Sequence, residues 1–141
     1  MLTLNKITII GYVGQDPVIN SFPSGKQYAS FSVATTENWI DKNTGEKKQL
    51  TEWHRIISFT AVDFIKEFVH SGSPVYLEGS LKKREFIDKD TGEKRQITEI
   101  IIHGKGIVNL LDSKNKKHLD EPNVPPPVLD DFPKDYGDDE L

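Results

Sequence analysis

Cysteine is absent from the 141-residue chain, which removes disulfides, thiolate nucleophiles and Cys-ligated zinc together. Long hydrophobic runs are missing too, and no segment approaches the roughly 20 apolar residues of a membrane-spanning helix. Met1 to Gly14 carries one early lysine, Lys6, and lacks both the apolar stretch of a secretory signal and the Arg- and Ser-rich composition of a transit peptide. The cytoplasm is the expected compartment, and stability has to come from a core or from association of chains. Histidine is sparse: His54, His70, His103 and His118 show no metal-ligand spacing and accompany no nucleophile motif. Gly104-Lys105-Gly106 lacks the rest of a phosphate-binding loop. These absences predict a protein that is not an enzyme and holds neither metal nor cofactor.

Positive charge is also in short supply, with 18 basic against 22 acidic residues and a net charge of −4. The average conceals a split. Residues 1–111 carry 14 basic and 13 acidic side chains (net +1), whereas residues 112–141 carry 4 and 9 (net −5). The body is therefore nearly neutral, and only local clusters can make it a polyanion binder.

What the first hundred residues do have is apolar alternation at period two, rich in β-branched and aromatic residues and bounded by Gly, Pro, Asn and Asp. Strands are expected near 4–13, 28–39, 52–60, 74–86 and 97–110. One segment fits a helix: Ala61 to Ser71 puts Val62, Ile65, Phe68 and Val69 on one stripe, with Gly72 just beyond as a stop. Five strands with a helix between the third and fourth is the order of an OB-fold, an all-β Greek-key barrel. After Leu111 the period stops, and Pro122, Pro125, Pro126 and Pro127 interrupt a polar stretch. One domain over 1–111 and a disordered acidic tail over 112–141 are expected.

The most informative feature is an internal repeat. Trp39 to Glu52 lines up with Phe86 to Glu99 at an offset of 47 residues, with ten of fourteen positions identical. Each copy has an aromatic residue leaving a strand, a turn at Thr44-Gly45 or Thr91-Gly92, and a returning basic pair, Lys47-Lys48 or Lys94-Arg95. That pattern describes two long β-hairpins. A solvated hairpin used twice for solubility is the plain alternative.

The flanks favour a site. Side chains alternate along a strand, so Trp53, Arg55, Ile57 and Phe59 share one face, and Lys82, Arg84 and Phe86 share another. Rings set among cations suit an open platform better than a core. Unpaired bases expose π-faces that stack on such rings at roughly 1–3 kcal/mol per base, whatever the base, while cations hold the phosphates. The expectation is single-stranded DNA stacked on rings of this platform, with Lys42, Lys47, Lys48, Arg55, Lys82, Arg84, Lys94 and Arg95 as phosphate contacts.

Asn5 to Pro17, Thr51 to Arg55, Gly72 to Gly79 and the stretch around Trp39 together resemble the bacterial single-stranded DNA-binding protein (SSB) family over residues 1 to about 111. The resemblance implies an OB-fold, a homotetramer that wraps single-stranded DNA, no catalysis, base stacking by Trp39, Trp53, Phe59 and Phe86, and a subunit contact at His54. Glu85, Asn20 and Val69-His70-Ser71 stand where the family is commonly more basic, which implies weaker or more salt-sensitive binding. Family tails dock replication, recombination and repair proteins through an acidic, apolar-tipped end. Here Phe132 and Leu141 are the candidate docking residues. The rival is an OB-fold module of the primosomal type whose main role is protein contact.

Overall fold

The structure is a computed structural model and describes residues 1–111 together with Pro126. Its elements are β1 (Ile7–Val13), β2 (Val18–Ser21), β3 (Gln27–Ile40), β4 (Lys47–Ser58), α1 (Val62–Phe68), β5 (Pro74–Ile87), β6 (Lys94–Ile102) and β7 (Ile107–Leu110). The expected tail over 112–141, Phe132 and Leu141 included, lies outside the described residues apart from Pro126.

Five strands close a barrel in the order β1-β3-β4-β6-β5, because β5 pairs back onto β1 from Ile7↔Gly79 to Tyr12↔Pro74. Every neighbouring pair is antiparallel except one, a short parallel ladder of Ile56–Ser58 on β4 against Ile100–Ile102 on β6. Closure removes the unpaired edges that a small open sheet would expose. This is the expected OB-fold, with α1 between the third and fourth barrel strands.

Alternation decides what fills the barrel. Ile9 and Val13, Ala29, Phe31 and Val33, Ile56, Val75 and Leu77, and Ile100 and Ile102 all point inward and are buried. Each large side chain contributes roughly 1.5–3 kcal/mol through the apolar area it takes from water. Ile65 and Val69 of the helix segment close this cluster. Phe68, expected on the same stripe, is 49% exposed as the last helical residue, and Phe64 packs on the core instead, 5.4 Å from Phe68 between ring centroids. The helix is shorter than its pattern because Ala61 enters at φ 53° and Val69 is already extended.

Two further differences concern strand ends. The span expected as one strand over 97–110 is two, split by a turn in which the Gly106 N–H donates to the His103 carbonyl at 2.9 Å. Past that turn β7 pairs with β5 in a register shifted by four residues relative to β6. The short β2 was not expected; it folds back on β3 from Val18↔Ser30 to Ser21↔Gln27 around Pro23-Ser24-Gly25.

Candidate nucleic-acid interface

Beyond the barrel, β3 with β4 and β5 with β6 continue as two ribbons. The first pairs as far as Ile40↔Lys47 and the second as far as Ile87↔Lys94. Their tips share one construction. Asp41 N–H donates to the Glu46 carbonyl at 2.8 Å, and Asp88 N–H to Glu93 at 2.9 Å. The Asp41 carboxylate accepts from Asn43 N–H at 2.8 Å and the Asp88 carboxylate from Asp90 N–H at 2.9 Å. Gly45 and Gly92 take φ of 72° and 69°, a left-handed conformation that disfavours a side chain. Lys48 pairs with Asp41 at 3.0 Å and Arg95 with Asp88 at 2.8 Å. The Asn43 amide, then Lys48, hold the Asp41 carboxyl below its usual range.

Register assigns faces to the rings. Ala34 lies across from Trp53, and Trp39 across from Lys48, so the two tryptophans project from opposite faces of the first ribbon. Trp53 shares its face with Arg55, Ile57 and Phe59, as alternation predicted, and opposite them β3 presents the small Ala34, Ser32 and Ser30. Through the β4–β6 ladder this face is continuous with Glu99 and Ile101, and through β6–β5 with Lys82, Arg84 and Phe86. Trp53 and Phe86 therefore belong to one four-strand face. Trp39, 46% exposed, does not.

The two arginines on that face are not laid open as the alternation pattern suggested. Arg55 Nε donates to one oxygen of Glu99 at 2.7 Å and Arg84 Nε to the other at 3.0 Å, with side-chain exposures of 6%, 8% and 0%. Strand alternation gave their face correctly; their exposure is corrected by Glu99, whose position between them depends on a pairing 44 residues apart. Two guanidiniums on one carboxylate leave a net charge of +1 inside the face.

Phe59 is also partly covered. It lies parallel to Phe22 with centroids 6.0 Å apart and 5.7 Å from Tyr28, in a second apolar cluster with Ile57 and Ile101. Burial pushes the Tyr28 phenol up, the two guanidiniums oppose that rise, and Glu99 adds to it. Trp53 leans on the end of β1: a Cβ at Gly14 would sit 2.5 Å from the indole edge and 2.8 Å from Pro126, so only glycine fits there. Phe22, Tyr28, Glu99 and Gly14 are site residues that sequence reasoning missed. The repeat itself offered a signal for Glu99, since it closes the second copy.

Lys42, Lys47, Lys48, Lys94 and Arg95 are exposed on the ribbons and Lys82 is half-buried beside them. His54 is half-buried where the first ribbon leaves the barrel, its Nε2 2.8 Å from Thr35 Oγ1, and burial lowers its pKa against a smaller opposing pull from Glu52. Among the described residues no group of acidic or histidine side chains could hold a metal ion. No described helix is long and apolar enough to cross a membrane.

A barrel of this strand order, with a helix between its third and fourth strands and two ring-bearing ribbons that carry exposed lysines and arginine, is an OB-fold of the kind that presents an open strand face to a ligand. The Single-strand binding protein family matches residues 4–108, and the chain belongs to that family. It is 40% identical over 118 residues to the single-stranded DNA-binding protein of Rickettsia felis, covering 82% of this chain and 78% of that protein. The Rickettsia prowazekii protein of the same name is 40% identical over 115 residues, covering 80% and 76%. A solved structure, the Plasmodium falciparum SSB complex with ssDNA, superposes with a TM-score of 0.72 at 42% identity, covering 79% of this chain and 98% of that one.

Proposed function

We propose that this chain is a non-enzymatic, sequence-independent binder of single-stranded DNA, acting in the cytoplasm in replication, recombination and repair. The observation that carries the reading is Trp53 and Phe86 on one continuous face, flanked by ribbons bearing Lys42, Lys47, Lys48, Lys82, Lys94 and Arg95. Bases stack on the rings, Trp39 adds a ring on the other side of the first ribbon, and Phe59 borders the platform at its covered end. The exposed cations hold phosphates and make affinity fall with salt. Arg55 and Arg84 share that face but are buried against Glu99.

Association into a homotetramer is supported by β1, whose outward-facing Ile10 and Tyr12 are 61% and 36% exposed, a large apolar area for one short strand. His54 is the proposed subunit contact. The tail, with a net charge of −7 over 119–141, is the proposed docking segment for partner proteins through Phe132 and Leu141.

Adding oligo-dT should strongly quench the emission of Trp39 and Trp53, reversibly with salt. A chain whose fluorescence ignores oligo-dT at low salt is not this kind of binder.

A further inference from the structure

The Arg55–Glu99–Arg84 triad stands where the molecule forks. The β4–β6 ladder consists of Ile56–Ser58 against Ile100–Ile102. Arg55 and Glu99 are the residues immediately before its first rung, and on their far side the two ribbons go separate ways. Glu99, itself on β6 of the second ribbon, accepts from Arg55 of the first ribbon at 2.7 Å and from Arg84 of its own ribbon at 3.0 Å. The Arg55–Glu99 bond thus crosses from one ribbon to the other beside the end of that ladder. Arg55 is two residues from Trp53 and Arg84 two from Phe86, roughly 7 Å along each strand.

We propose that Glu99 is a positioning residue for the single-strand platform, pinning the two ribbons at their fork so that Trp53 and Phe86 are held at a fixed separation. The inference rests on the single-strand reading above and adds how one strand engages both ribbons. A carboxylate suits this role because its two oxygens accept one Nε–H from each side in a plane, a geometry a single neutral acceptor cannot reproduce. Burial excludes the competing water that would loosen an exposed pair. With the pin in place a strand bound to one ribbon meets the other at a set effective concentration; without it the second contact loses that advantage.

The test compares two lengths of oligo-dT on the full chain: about 4 nucleotides, the lower end of what one OB-fold occupies, and about 16, the upper end. Glu99→Gln keeps the shape and removes the charge. Arg55→Met removes the bond that crosses from the first ribbon to the second and leaves Glu99 paired with Arg84 inside the second, so it carries the test if Glu99→Gln does not fold. Each folded variant should lose about ten-fold or more in affinity for the long strand while the short one changes by less than about two-fold, since only the long strand uses both ribbons. Equal losses on both lengths, or no loss on either, overturn the proposal. If the unaltered chain binds neither length, the single-strand reading fails and the inference with it; if it binds both, the variants judge the inference alone.

Discussion

The two ribbons are copies at their tips and opposites at their roots. From Asp41 to Glu46 and from Asp88 to Glu93 the hydrogen bonds repeat to within about 0.1 Å. Nearer the barrel, equivalent residues diverge: Leu50 is exposed and Ile97 buried, Glu52 exposed and Glu99 buried, and His54 corresponds to Ile101. The cause is a mismatch of spacing. The copies are offset by 47 residues, but the barrel sets Ile56 beside Ile100, an offset of 44. The difference is odd, and an odd shift turns a strand's side chains to the other face. Trp39's face therefore runs down through His54 and Ile56 into the core, while Phe86's runs through Glu99 and Ile101 onto the outer cluster. Local sequence builds the turn; the distant partner strand decides which way the ribbon faces.

The contrast is broken most decisively at the two glutamates. Glu99→Ala strands two buried guanidiniums and should cost about 3–5 kcal/mol in urea unfolding, whereas Glu52→Ala should stay within about 0.5 kcal/mol; similar costs would erase the distinction between the roots. The tips should behave alike. Gly45→Ala and Gly92→Ala each force an L-residue into the left-handed region at about 1–2 kcal/mol, and clearly unequal melting shifts would show that the tips are not copies. The smallest effect separates His54 from Ile101. With its folded-state pKa lowered by burial, His54 favours the native state fully above its ordinary value and less as pH falls, because the unfolded chain takes the proton first. Between about pH 7.5 and about pH 5.5 the melting temperature should drop more for the unaltered chain than for His54→Gln, a range that brackets the ordinary imidazole value; parallel pH profiles would remove His54 from the account.

Much of this was legible from the sequence because it depends on short range. The turn residues, the helix near 61–71, the five barrel strands and the shared face of Trp53, Arg55, Ile57 and Phe59 all follow from period and turn chemistry. What stayed hidden depends on which strands meet. Arg55 and Arg84 read as open cations until the parallel ladder puts Glu99 between them, and Phe59 read as open until β2 and its turn bring Phe22 across it. Phe64 and Phe68 both lie beside Ile65 on so short a helix, and packing alone chose Phe64. The break at His103–Gly106 was written in two glycines but masked by the isoleucines on either side.

Pairing parity also limits how such ribbons can change in length. Each tip is a closed unit, and each root is tied to the barrel by residues of fixed facing, so the stem between them can gain or lose rungs without touching either. A rung adds one residue to each strand. A single added rung would turn the Trp39 ring to the side now held by Ile40, while two would restore it farther out. Ribbon reach can thus drift in increments of roughly 7 Å, two rungs at a time, with each ring kept on its side.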